Sequence, residues 1–283
     1  MRKILIKLHQ TIKKIKRMRN KNDEQLTFGG HLEVLRRMLF RILGVIAIIS
    51  LLIFLFKETI WDILLAPSEY NFITYRIIEQ IVQKVDFNFH FDKYEVQLIA
   101  TDLSSQFMTH ITTSIYLGCL ISSPYVLYEL FRFTLPALYD NERKYSVYVA
   151  VIIYILFVIG VLMSYFIIFP ISFRFLGTYS VAEKVNSMIT LSSYISTFTS
   201  LTLVMGIVFQ LPVIIFILAK MGVVDFRILS KYRKYALFII TAISAIITPP
   251  DIMTCILVTV PLYLLYECSI WIAKKVNVLD EKS

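Results

Sequence analysis

The sequence predicts an all-α fold: a polytopic membrane bundle of six transmembrane helices, both termini cytoplasmic (N-in/C-in), with an extracytoplasmic cap and a short hairpin of the fifth and sixth helices. Three observations predict it. Of 283 residues, 57% are apolar and only 17% charged, whereas a soluble chain carries roughly 25% charged residues. The apolar residues gather into six runs, as membrane spans require. The basic residues alternate between strong and weak segments from one run to the next, which is the pattern left by the preference of Lys and Arg for cytoplasmic loops.

The runs fall at 38–56, 107–127, 148–169, 197–219, 235–248 and 252–272. Each of the first four suffices to cross roughly 30 Å of hydrocarbon as a helix. The fifth reaches only about 21 Å at 1.5 Å per residue. It ends at Thr248-Pro249-Pro250-Asp251, where neither proline can continue a full hydrogen-bond ladder, so a hairpin of two short spans is expected. Twelve of the 29 Lys and Arg lie at or before Arg41, and alternate segments total 23 on one side and 6 on the other. With an even number of spans, both ends then face the cytoplasm. Segment 57–106 carries eight acids against four bases. In it, Trp61 suits the headgroup level. Ile73, Ile77, Ile78, Ile81, Val82 and Val85 recur at helical spacing, which predicts an amphipathic helix in a cap packed on the bundle mouth.

The organisation read from this pattern is a basic tail over 1–25, a membrane domain over 26–273 and a C-terminal tail over 274–283. The net charge of +9 is concentrated in the basic tail. Beside a membrane span, such a cluster reads as attraction to anionic lipid rather than to nucleic acid. Lys7, Lys13, Lys14, Lys16, Arg17 and Arg19 interrupt every early apolar stretch, which argues against a cleavable signal peptide. Cys119, Cys255 and Cys268 lie inside apolar runs without a CxxC pair, and are expected to be buried small hydrophobes rather than disulfide or zinc partners. There is no phosphate-cradling G-x-x-x-x-G-K-[ST], no H-E-x-x-H and no G-x-S-x-G, and the four histidines are scattered. Neither an enzyme, a metal nor a cofactor is indicated.

Polar residues within spans are costly and face a cavity or partner. Gln210, with Pro212 kinking the span beside it, is read either as bonded to a neighbouring helix or as a partner-docking group. Glu267 lies where it can reach interfacial water. Thr109, His110, Thr112 and Thr113 are expected to be solvated at a helix end. Glu142 and Glu33 are carboxylates on an otherwise basic face, and Arg binds carboxylates through a planar, bidentate fork.

His31-Leu32-Glu33-Val34-Leu35-Arg36-Arg37 resembles the N-terminal H-L-x-E-L-R signature of the TatC family. Ser122-Ser123-Pro124-Tyr125-Val126-Leu127-Tyr128, followed by Leu135-Pro136-Ala137-Leu138-Tyr139 and Glu142-Arg143, resembles its first cytoplasmic loop. Tyr165-Phe166 with Phe169-Pro170, then Phe209-Gln210-Leu211-Pro212-Val213, Thr248-Pro249-Pro250-Asp251, and Pro261-Leu262-Tyr263 with Tyr266-Glu267 match in the same order. The resemblance implies the core subunit of a twin-arginine protein translocase in the bacterial cytoplasmic (inner) membrane. Such a subunit binds twin-arginine signal peptides of folded cargo, works with TatA/TatB-type single-span proteins within a homo-oligomeric receptor complex, and is powered by the proton-motive force. It implies signal-peptide contacts at Glu33, Glu142, Arg143, Phe133, Pro136 and Leu138, and partner or intramembrane polar roles at Gln210, Pro212, Asp251 and Glu267. Val34, Gln210 and Cys255 depart from polar residues common in the family. The rival from another class is a secondary transporter with a midplane substrate site around Gln210.

Overall fold

The computed structural model of the chain describes residues 28–84, 97–134, 146–180, 182 and 188–280. In hydrocarbon every backbone N–H and C=O must find a partner within the protein, so apolar runs become helices. Each of the six runs is helical. Helix α1 is Phe28–Leu55, and α2, Lys57–Leu65, follows it directly. Beyond a short 3₁₀ turn comes α3, Ile73–Gln83. The second run forms α4, Ser105–Ile121, and α5, Ser123–Thr134. The third forms α6, Ser146–Met163, a wider π-type turn at Ser164–Ile168, and α7, Phe169–Thr178. The fourth forms α8, Leu191–Val208, and α9, Leu211–Lys220. A short α10, Phe226–Lys231, precedes α11, Arg233–Ile247, and α12, Ile252–Asp280.

Among the described residues, four stretches are long and apolar enough to cross a membrane: Leu32–Leu55, Ala150–Thr178, Leu191–Lys220 and Ile252–Val276. A fifth is α4 with the start of α5, bent by 54°. This corrects the expectation of one straight helix over 107–127. The bend falls at Ser122, two residues before Pro124, which has no N–H to offer the carbonyl four residues back. At 15 residues α11 is about 22 Å long, short of the hydrocarbon thickness.

The core lies where α7 and α8 cross. Phe169 is perpendicular to both Tyr194 and Phe198 at 5.0 Å, and Phe173 meets Tyr194 at 4.9 Å, the edge-to-face geometry aromatic rings prefer. Leu201, Met205 and Leu262 close the cluster. At one end, here the cap end, α2, α3 and a two-residue parallel pair sit on the helices. The pair is β1, Leu98–Ile99, with β2, Ile189–Thr190, a small departure from an all-α chain. The last carbonyls of a helix have no partner within it, and two tyrosines supply donors to those of α2. Tyr165 donates to Ile63 O at 2.7 Å and Tyr194 to Leu64 O at 2.8 Å. Pro170 likewise cannot bond Phe166 O, which accepts instead from Thr74 Oγ1 of α3. Next to Thr74, the buried Tyr75 hydroxyl lies 2.8 Å from Pro170 O and 3.0 Å from Pro67 O.

Several expectations are corrected. Helix α3 forms, but Ile73, Ile77 and Ile81 are exposed while Thr74 and Tyr75 are buried. The carbonyl acceptors at Phe166 and Pro170 draw the polar face inward. Val85 lies outside the described residues. Thr109 and Thr113 are not solvated but buried, and His110 stacks on Phe54 at 4.3 Å. Cys119 and Cys255 are half-buried and Cys268 is exposed, since a thiol in an apolar run can face lipid as readily as protein.

Helices α6 and α8 approach through reciprocal notches. A Cβ at Gly160 would stand 2.6 Å from Met205 O, and one at Gly206 would stand 2.7 Å from Phe157 Cε2. Small residues permit such contact between membrane helices. Gly160→Val is therefore expected to destabilise the purified protein by about 1–3 kcal/mol, read as a lower thermal midpoint in detergent. Gly44→Ala, with nothing within 4 Å, should leave the midpoint unchanged. Equal midpoints for Gly160→Val and wild type would refute the close crossing.

Candidate functional site

At the end of the bundle opposite the cap, two helix faces meet. Glu33, Arg37 and Arg41 follow one another every four residues on α1. Tyr125, Glu129 and Phe133 do the same on α5. Residues so spaced share one face of a helix.

The outer rung is Glu33. Its carboxylate takes Arg37 Nε at 2.9 Å and Arg36 Nη1 at 3.7 Å, with all three side chains largely exposed. The Arg36 guanidinium also lies 5.7 Å from the centre of the Phe40 ring. Exposed pairs of this kind are worth only about 0.3–0.5 kcal/mol. A turn deeper, Glu129 is 5% exposed and holds Arg41 Nη2 at 3.2 Å, while Arg41 itself is 51% exposed. The Tyr125 hydroxyl donates to the other Glu129 oxygen at 3.2 Å. Phe133 is half-buried one turn beyond. The site thus grades from a loosely held carboxylate at the edge to a desolvated one with two donors beneath it.

Of the residues expected in a signal-peptide site, Glu33 and Phe133 are therefore placed at one end of the bundle. Pro136, Leu138, Glu142 and Arg143 lie outside the described residues. The intramembrane set is dispersed. Gln210 sits at the break between α8 and α9, where Pro212 starts the new helix, and its amide donates to Ile153 O of α6 at 3.1 Å. Its Oε1 is buried without a partner among the described residues. Asp251 caps α12, accepting from Thr254 N at 2.6 Å. Glu267 does not simply reach water. It receives Arg233 Nε and Nη2, each at 2.9 Å, and the Tyr263 hydroxyl at 3.0 Å. That fork fastens α11 to α12 at the end remote from their turn. Among the described residues no cluster of His, Cys, Asp and Glu could hold a metal ion.

Arg41 and Glu129 were missed by sequence reasoning, though a signal existed. Arg41 is the only charge in the first apolar run, and Glu129 the only acid between Asp102 and Asp140. Two isolated opposite charges at the same membrane depth are driven together by desolvation.

The sequence profile of the TatC family, described as Sec-independent protein translocase protein (TatC), matches residues 30–261. The chain is 34% identical over 260 residues to the Sec-independent protein translocase protein TatC of Blattabacterium sp. subsp. Periplaneta americana, covering 90% of this chain and 97% of the relative. It is 31% identical over 252 residues to the TatC protein of Escherichia coli K12, covering 89% of each. A crystal structure of the twin-arginine translocase receptor TatC superposes with a TM-score of 0.69 at 31% identity, covering 87% of this chain and 99% of that one.

Removing one partner of a buried ion pair costs about 3–5 kcal/mol, while replacing both by apolar groups is often neutral. With Arg41 half in solvent, Arg41→Leu should cost roughly 1–3 kcal/mol. That shift should appear in thermal unfolding in detergent and exceed the effect of Glu33→Gln. Arg41→Leu with Glu129→Leu should recover most of it. A double variant as unstable as the sum of its singles would show that the two charges are not coupled.

Proposed function

The chain belongs to the TatC family of Sec-independent protein translocase proteins, and from that premise we propose that it reads twin-arginine signal peptides on its cytoplasmic face and forms the core of a translocase driven by the proton-motive force. The observation that carries the reading is the Glu33 carboxylate, which already accepts two guanidinium groups from the chain's own Arg36 and Arg37. The internal pair is exposed and weak, so an incoming arginine pair can displace it with little loss. Glu142, in the segment that follows Phe133, supplies the second carboxylate. Arg143, Pro136 and Leu138 shape the surface around it. Each signal arginine then has an acid, and a bidentate pair to a carboxylate selects Arg over Lys.

The chain's six apolar helices form six spans with both termini in the cytoplasm, α11 crossing with help from thinned bilayer or neighbouring helices. Phe238 and Ile246 on α11, 74% and 83% exposed, offer that surface to TatA/TatB-type single-span proteins and to further copies of the chain in a receptor complex. Gln210, Pro212, Asp251 and Glu267 act in the same contacts or in holding their geometry. Gln210 spends its amide on Ile153 O, which favours this reading over a midplane transporter site.

Glu142→Gln keeps size and removes charge. A charge-assisted hydrogen bond contributes about 1.5–3 kcal/mol, so affinity for a purified twin-arginine signal peptide should fall roughly tenfold to a hundredfold, with membrane abundance unchanged. Glu33→Gln should lose less, and the double variant should not bind. Wild-type affinity for Glu142→Gln would exclude that residue from the site.

Orientation has its own test, in a version lacking Cys119, Cys255 and Cys268. Ser180→Cys should react with a membrane-impermeant maleimide on intact cells, and Lys231→Cys only after permeabilisation. Labelling of Lys231→Cys in intact cells would reverse the topology.

A further inference from the structure

A second site lies at the other end of the molecule. Where α1 gives way to α2, a cavity of about 350 Å³ is lined by Lys57, Trp61, Gln106, Phe107, His110 and Leu191. Three helices build it. Lys57 and Trp61 lie one turn apart on α2, Gln106, Phe107 and His110 come from the first two turns of α4, and Leu191 opens α8. Its interior is set by rings, with His110 stacked on Phe54 at 4.3 Å and tilted by 58° against Trp61 at 6.2 Å. No carboxylate is among the lining residues, and Lys57 has no acid within ion-pair distance among the described residues. The buried Trp61 indole N–H has no acceptor among the described residues.

Depth narrows the ligand. Lys57 directly follows the first apolar run, and Phe107 opens the second, so the polar half of the cavity lies where hydrocarbon meets headgroups. Lys and Trp are the residues that anchor at that level. Phe107 remains 58% exposed, and Leu55 and Phe56, just before Lys57, are 69% and 68% exposed. A ligand that fills the cavity is therefore asked to present an anion to Lys57, an acceptor to nearby N–H groups, and hydrocarbon to the flanking apolar surface.

We propose that this cavity binds the phosphodiester of a single glycerophospholipid from the leaflet at the cap end, its acyl chains lying along Phe107, Leu55 and Phe56. Lys57 neutralises the phosphate, and Gln106 and His110 donate to its oxygens or to the ester carbonyls below. The inference goes beyond signal-peptide reading and does not depend on which side of the membrane the cap occupies. It requires only that the chain spans a bilayer.

The chain has two tryptophans, so Trp271→Phe makes Trp61 the sole fluorophore of the full-length protein. In delipidated detergent solution, phosphatidylglycerol with brominated acyl chains should quench Trp61 saturably. Brominated diacylglycerol, with the same chains and no phosphate, should quench only weakly and without saturation. Lys57→Gln with His110→Gln should weaken the phosphatidylglycerol affinity roughly tenfold or more. Gln106→Glu, an exposed position that leaves the packing intact, should weaken it too by placing a like charge at the phosphate. Equal quenching by the two lipids would reduce the effect to annular contact and overturn the site. So would unchanged affinity in Gln106→Glu, and so would inorganic phosphate competing as well as the lipid, because the ligand would then be a soluble anion. Signal-peptide affinity is expected to be unaffected by any of these variants, so failure here and failure at Glu142 are separately visible.

Discussion

An unpaired carbonyl in hydrocarbon costs on the order of several kcal/mol, and this chain interrupts its own helices at proline after proline. Pro124 precedes the bent half of the second span, Pro170 follows the π-type turn, and Pro212 restarts the fourth. Each break releases backbone groups that water cannot reach. What repairs them gives the protein its particular shape. Thr74 from α3 supplies Phe166 O, the carbonyl that Pro170 leaves without its helical donor. Tyr165 and Tyr194 serve the last carbonyls of α2. The cap is held by bonds in both directions, α2 carbonyls accepting from Tyr165 and Tyr194 of the bundle and Thr74 of α3 donating to Phe166 O.

The charged rim obeys the same accounting in the opposite dielectric. Glu33 is wet, and its pairing with Arg36 and Arg37 is cheap to exchange. Glu129 is dry, and its pairing with Arg41 and Tyr125 is not. The deep pair fixes α1 against α5, whereas the shallow one is held loosely at the surface. The same logic separates Glu267, clamped by Arg233 and Tyr263, from the rim acids.

Most of the fold was legible in the sequence, because an apolar run has only one way to satisfy its backbone in a membrane. The ends and breaks were less so. Ser122, Ser123 and Pro124 only dent an apolar run that resumes at Val126, too small a mark to signal the 54° bend. The isoleucine stripe of α3 was visible, but which face it would turn inward was not. That choice belongs to the acceptors at Phe166 and Pro170, about ninety residues away. At the site, Glu33 could be read from its place beside two arginines on a basic face. Glu129 could not be ranked until its depth and that of Arg41 were known, since a pair worth noticing is defined by desolvation rather than by either residue alone.

The tyrosine bonds to the cap also impose an order on biogenesis. Ile63 O and Leu64 O lie 102 and 130 residues upstream of the hydroxyls they accept from, and Thr74 lies 92 residues before Phe166. While the chain emerges from the ribosome, the first two spans are inserted with those groups still without their native partners. The cap can lock only when Tyr165 and Tyr194 have been made and packed against it, so its maturation waits on the third and fourth apolar runs. A nascent chain truncated before Tyr194 would carry an open cap, a ready handle for the chaperones and proteases that inspect unfinished membrane proteins.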